Sequence, residues 1–231
     1  MAAPQSAIEV AQDKPTRKFA YLFFTLVAFI ASAPYLDKPG IPSVVFRLLT
    51  ATAFVAAVHA VSEKRAQWIT ATFLAVLAGI LNTIFVFDPS PSVALPTLIS
   101  TILFLGLTLV SLLRAVLRAQ TVTIDTIYGA ITVYLLIAFV WGAAFLLLET
   151  LQPGALAVNT AWHPSHVIDW PDCMFFSFVT LTSVGYGDMV PITHQARTLA
   201  ILEAVSGIMY VAVLVARLVG IYSAAKSSSH S

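Results

Sequence analysis

Residues 182–188 read Thr-Ser-Val-Gly-Tyr-Gly-Asp and sit between two long apolar stretches. Two glycines flank one tyrosine, and glycine opens backbone dihedrals closed to other residues. A strand built this way can turn successive carbonyl oxygens toward one axis. Elsewhere the residues offer little chemistry. No nucleophile, base pair or metal-ligand cluster points to catalysis, so the chain reads as a non-enzyme with no cofactor. The lone cysteine, Cys173, excludes an intrachain disulfide framework and a Cys-rich metal site, and reads as a small packed residue.

Composition sets the medium. Of 231 residues, 59% are hydrophobic and 10% charged, with a mean hydropathy of +0.90, where a soluble domain would carry about 25% charged residues. The chain is therefore expected to be an integral membrane protein in contact with lipid. A net charge of +1 gives no argument for nucleic acid as a partner.

Six apolar segments are long enough to cross a hydrocarbon core of about 30 Å: 18–36, 44–61, 67–87, 93–117, 126–150 and 195–223. The connectors at 36–43 and 88–92 are rich in turn formers and nearly free of cations. Those at 62–66 and around Arg114 and Arg118 are basic, as is the amino tail with Lys14, Arg17 and Lys18; Lys226 lies at the other end. The positive-inside rule puts the basic side, and both termini, in the cytoplasm, with Lys38 and Arg197 outside. Lys14, Arg17 and Lys18 followed by an apolar run and Ala31-Ser32-Ala33 also resemble a cleavable signal peptide. A four-span bundle that needs its first member argues for an uncleaved span.

The heptad has its own support. Between the fifth and sixth spans, residues 170–182 are expected to form a short re-entrant helix. Pro171 suits its first turn, and Asp172 suits the positive end of its dipole. Its carboxyl end would point inward and favour a cation there. Non-helical backbone at that depth is tolerated only when buried in protein or lining water.

With these residues in place, the chain resembles a potassium channel of the tetrameric cation-channel superfamily, six-transmembrane and prokaryotic in type. The resemblance runs from the fifth span to the carboxyl end and is carried by Thr180-Leu181-Thr182-Ser183-Val184-Gly185-Tyr186-Gly187-Asp188. It implies an all-α membrane protein of six transmembrane helices plus one re-entrant pore helix and a selectivity-filter loop, assembled as a homotetramer in the cell membrane. It implies potassium as the permeant ion, held at Ser183, Val184, Gly185 and Tyr186, with the Ser183 hydroxyl completing the innermost ring. Thr182 would contribute at the filter base, and Gly187 would open its mouth. Asp188 would brace the filter from behind, and Phe175, Phe176 and Thr180 would support it. Three departures stand out. Ser183 replaces the usual threonine, Phe175 and Phe176 replace the tryptophans of many relatives, and Val179 offers Asp188 no carboxyl partner. A phenyl ring cannot donate the hydrogen bond that an indole would.

In the sixth span, Gly207 lies twenty residues after Gly187 and matches the family's inner-helix hinge. Close helix packing is the alternative. Glu203 and Arg217 are charges in apolar surroundings, fourteen residues apart, about 21 Å along a helix, and so not a pair. Glu203 either bonds the back of the re-entrant helix, through Ser177 or Thr180, or lines a cavity. Arg217 either snorkels to headgroups or rings the inner mouth.

Residues 1–17 read as an amino tail, 18–119 as a voltage-sensor-like domain, 120–225 as the pore domain and 226–231 as a second tail. The fourth span lacks gating charges. Residues 93–113 contain no Arg or Lys, and Arg114 and Arg118 come only at the inner end. A sensor moves several charges, each worth about 2.3 kcal/mol per 100 mV. Arg47 can snorkel outward, while Asn82 and His59 suit interhelical hydrogen bonds. His163 and His166 read as solvated outer-loop residues. With only about eight residues after the sixth span, no ligand-binding module is expected there. The expected function is passive potassium conduction without classical voltage gating. Alternatives are a weakly voltage-dependent channel, a non-conducting regulatory subunit, and a potassium transporter, whose four weaker filter repeats per chain are not seen.

Overall fold

A computed structural model describes residues 18–32, 41–61, 65–88, 90–119, 123–158 and 167–228. The expectations for the amino tail, Ala33, Lys38, Lys64, His163 and His166 lie outside these residues, as do those for the side chains of Arg47 and Lys226.

Seven helices follow the apolar segments closely: α1 Lys18–Ser32, α2 Ile41–Val61, α3 Arg65–Phe87, α4 Pro91–Arg118, α5 Ile124–Leu151, α6 Trp170–Leu181 and α7 His194–Ser228. Among the described residues, four helices are long and apolar enough to cross a membrane: α3, α4, α5 and α7. Shorter apolar stretches occupy α1 and Thr50–Ala60 of α2. A short two-stranded ribbon adds to the helices. Leu156–Val158 (β1) pairs antiparallel with Met189–Pro191 (β2), Ala157 opposite Val190. At three residues each, such strands leave no periodicity to detect.

Helix α5 organises the rest. It has no pronounced polar face, and it is the most buried of the four long apolar helices. It packs against α1, α4, α6 and α7. Val133, Leu136 and Phe139 of α5 join Leu22 of α1, Phe104 of α4 and Leu181 of α6 in the main core. Asp125, in the first turn of α5, also accepts the Ala20 backbone N–H of α1 at 3.2 Å. One carboxylate thus serves the positive ends of two helices. Buried hydroxyls are satisfied locally: Thr97, Thr108 and Thr132 donate to carbonyls one turn back, at 2.7, 2.9 and 2.7 Å. Asn82 reaches from α3 to Thr101 on α4 at 3.4 Å. Ile69, Phe73, Val76, Ile80 and Ile84 form an exposed stripe along α3 that suits hydrocarbon rather than water.

Candidate functional site

Helix α6 is built to start and stop sharply. Asp169 accepts the Asp172 N–H at 3.2 Å while Asp172 accepts the Asp169 N–H at 3.0 Å, a reciprocal capping box. Pro171 occupies the first turn, where its missing N–H has no helical partner to lose. At the other end, Ser183 N–H donates to Thr180 O at 3.0 Å and Val184 N–H to Val179 O at 2.9 Å. These two bonds form a Schellman stop, in which the residue after the cap takes a left-handed conformation. That residue is Ser183, with φ +60°. A side chain there is held against an intrinsic cost of roughly 1–2 kcal/mol.

Beyond the stop, left-handed backbone recurs at every second residue: Ser183 at +60°, Gly185 at +59° and Gly187 at +79°, with Val184 and Tyr186 between them on the ordinary side. In a regular strand each residue turns the next peptide over, so carbonyls alternate between faces. A left-handed φ at alternate residues is a backbone that can turn successive carbonyls toward one side. Residues 182–187 are exposed on the single chain. After the segment, the β1–β2 ribbon returns the chain to α7. Ile192 N–H donates to Ala155 O at 2.8 Å, and the Glu149 carboxylate accepts the N–H groups of Gly154 and Leu156 at 2.7 and 3.0 Å.

The structure distributes the other expected residues unevenly. Phe175 lies parallel to the Tyr186 ring, centroids 6.1 Å apart and planes 4° apart. Phe176 instead meets Phe145 of α5 edge-on at 4.8 Å, in a second buried cluster with Cys173 and Met189. The Thr182 hydroxyl turns back to Phe178 O at 2.6 Å, so only its backbone faces forward. Thr180 contributes its carbonyl to the stop. Asp188 accepts the backbone N–H of Met189 at 3.0 Å.

Three residues of α7 take definite partners. Glu203 is fully buried and bonds Ser177 on α6; of its two expected partners, Thr180 is not used. Gly207 presses on the end of α6. A Cβ there would fall 2.7 Å from both the carbonyl oxygen and Cδ1 of Leu181, so the position is one of close packing. The Arg217 guanidinium donates to Ala119 O at the carboxyl cap of α4, at 2.6 Å. An unpaired carbonyl at a helix end is a natural acceptor for a cation. On α4, Arg114 and Arg118 are both exposed.

Four further residues hold the site. Tyr134 donates to Leu181 O at 3.3 Å, and Trp141 Nε1–H to Ser206 Oγ at 3.1 Å. Ser206 Oγ in turn donates to Glu203 O at 2.8 Å, and the Tyr210 hydroxyl to Ala130 O at 2.7 Å. Spacing offered a signal. Tyr134 and Trp141 are seven apart on α5; Glu203, Ser206 and Tyr210 fall at i, i+3 and i+7 on α7. Each set lines one helical face with polar atoms in an otherwise apolar element.

Residues 129–224, from α5 through α7, match the ion channel family. The rat "Potassium voltage-gated channel subfamily A member 5" is 42% identical over 50 residues, which is 22% of this chain and 8% of the relative. The mouse protein of the same name is 42% identical over 48 residues, 21% of this chain and 8% of the relative. Each match thus spans a small fraction of the relative's length. Together these findings make residues 129–224 similar to ion-channel domains. The matched family is not an enzyme family, and with the long apolar helices it marks a multi-pass membrane protein.

Proposed function

We propose that this chain, with its ion-channel domain over 129–224, forms a potassium-selective channel that conducts passively through residues 182–187. The observation that supports the reading is the left-handed φ at Ser183, Gly185 and Gly187, a backbone that allows successive carbonyls to turn to one side. Four copies around one axis would stack those carbonyls, with the Ser183 hydroxyl, into cages for a dehydrated potassium ion. A chain with one such segment needs three more, so the assembly is a homotetramer. Helix α6 is the re-entrant pore helix, and α7 lines the inner pathway. Helices α1 to α5 and α7 are the six spans, with both termini cytoplasmic.

Residues 18–119 form a sensor-like domain without gating charges, because α4 carries Arg114 and Arg118 only in its last turns. The channel is therefore not classically voltage-gated. Purified chain reconstituted alone into liposomes tests the whole reading. Barium-sensitive potassium uptake with a shallow dependence on imposed voltage is expected. No flux from a folded tetramer would favour a regulatory subunit instead, and a steep conductance–voltage relation would overturn the reading of α4.

A further inference from the structure

Behind α6, three elements meet in a sealed polar chain: the Ala138 carbonyl on α5, the Ser177 hydroxyl on α6 and the Glu203 carboxyl on α7. Ser177 and Glu203 are both at 0% exposure, so water does not supply missing partners. Ser177 Oγ lies 2.8 Å from Ala138 O and also bonds Glu203 Oε1. A hydroxyl carries one hydrogen, whereas a backbone carbonyl and an ionised carboxylate can only accept. With Glu203 ionised, two acceptors would claim that single hydrogen, and one close oxygen pair would face each other with nothing between. With Glu203 protonated, both contacts close: Oε1–H donates to Ser177 Oγ, and Ser177 Oγ–H donates to Ala138 O.

The second oxygen points the same way. Glu203 Oε2 is buried with no hydrogen-bond partner among the described residues. As the carbonyl oxygen of a neutral acid it is one orphan acceptor; as half of an anion it would be an uncompensated buried charge, far more costly. Among the described residues no Lys or Arg pairs with Glu203. The titratable group that interacts with it is Tyr134 of α5, whose hydroxyl is already engaged with Leu181 O.

We propose that Glu203 is held as a neutral carboxylic acid at neutral pH and serves as the hydrogen-bond donor that positions α6 between α5 and α7. Its role as a positioning residue for conduction rests on the channel reading; its protonation does not. Infrared difference spectroscopy on the full-length protein in lipid, wild type against Glu203→Gln, tests it at pH 7. The expected result is a protonated-carboxyl C=O band in the wild type that shifts in heavy water and is missing from the variant. A difference confined to the two carboxylate stretches would overturn the proposal. Should Glu203→Gln not fold, Ser177→Ala serves: loss of the acceptor moves the acid band to higher frequency, and an unmoved band contradicts the assigned partner. An acid band in protein that passes no potassium would sink the channel reading while supporting the protonation.

Discussion

Replacing Gly207 with alanine separates a packing glycine from a hinge by the sign of a stability change. Alanine is the better helix former by about 0.8–1 kcal/mol. A hinge glycine in otherwise open space would therefore gain stability on substitution. At Gly207 the new methyl carbon would stand 2.7 Å from Leu181 O and 2.7 Å from Leu181 Cδ1. The Cδ1 can rotate aside, but the oxygen is backbone at the end of α6 and is also the acceptor for Tyr134 at 3.3 Å. The helices must separate, and inserting a methyl into packed structure costs about 1–3 kcal/mol. Subtracting the propensity gain leaves a net loss of about 1 kcal/mol, with a range from near zero to about 2. Displacement of Leu181 should reach the next residues, so potassium selectivity should fall with stability. The assay is the thermal midpoint of purified Gly207→Ala against wild type by tryptophan fluorescence, at matched protein and lipid concentration, with flux measured on the same samples. A midpoint equal to or above wild type with selectivity intact would refute the packing argument.

Three further outcomes follow from the same contacts. Ser183→Gly removes a side chain from a left-handed residue and should stabilise the fold by roughly 1 kcal/mol, while potassium-over-sodium selectivity drops with the hydroxyl; thermal melts and ion-competition flux read the two effects. Asp169→Ala breaks the capping box of α6 and should cost about 1 kcal/mol, seen as a lower midpoint, with Asp169→Asn recovering most of it. Arg217→Gln should weaken the tie to Ala119 O and speed hydrogen exchange at the α4 carboxyl end, whereas an unchanged exchange pattern would mean the contact holds nothing in place.

The helices were legible because membrane spans announce themselves by length and hydropathy, and because α6 carries its own start signal in Pro171 and Asp172. The 182–188 segment stood out by its resemblance to a family signature, and Gly185 and Gly187 supply two of its three left-handed positions. What escaped the sequence depends on tertiary contact. That Ser183 is left-handed follows from the Schellman stop, which needs α6 to end where it does. Arg217 finds Ala119 across 98 residues of sequence, a pairing that no local pattern encodes. Phe175 and Phe176 are adjacent and chemically identical, yet one stacks on Tyr186 and the other meets Phe145 edge-on, because neighbouring positions on a helix face different ways. The ties of Tyr134, Trp141, Ser206 and Tyr210 left a readable stripe of polar atoms, though their partners came only with the packing.

The most direct test of potassium conduction through residues 182–187 is the reversal potential of the reconstituted chain with potassium on one side of the bilayer and sodium on the other. A barium-blocked current should reverse far toward the potassium equilibrium potential, and Gly185→Ala, which puts a methyl on a residue at φ +59°, should abolish that preference. A current reversing near zero, or one whose selectivity survives Gly185→Ala, would contradict the assignment of these carbonyls as the ion path.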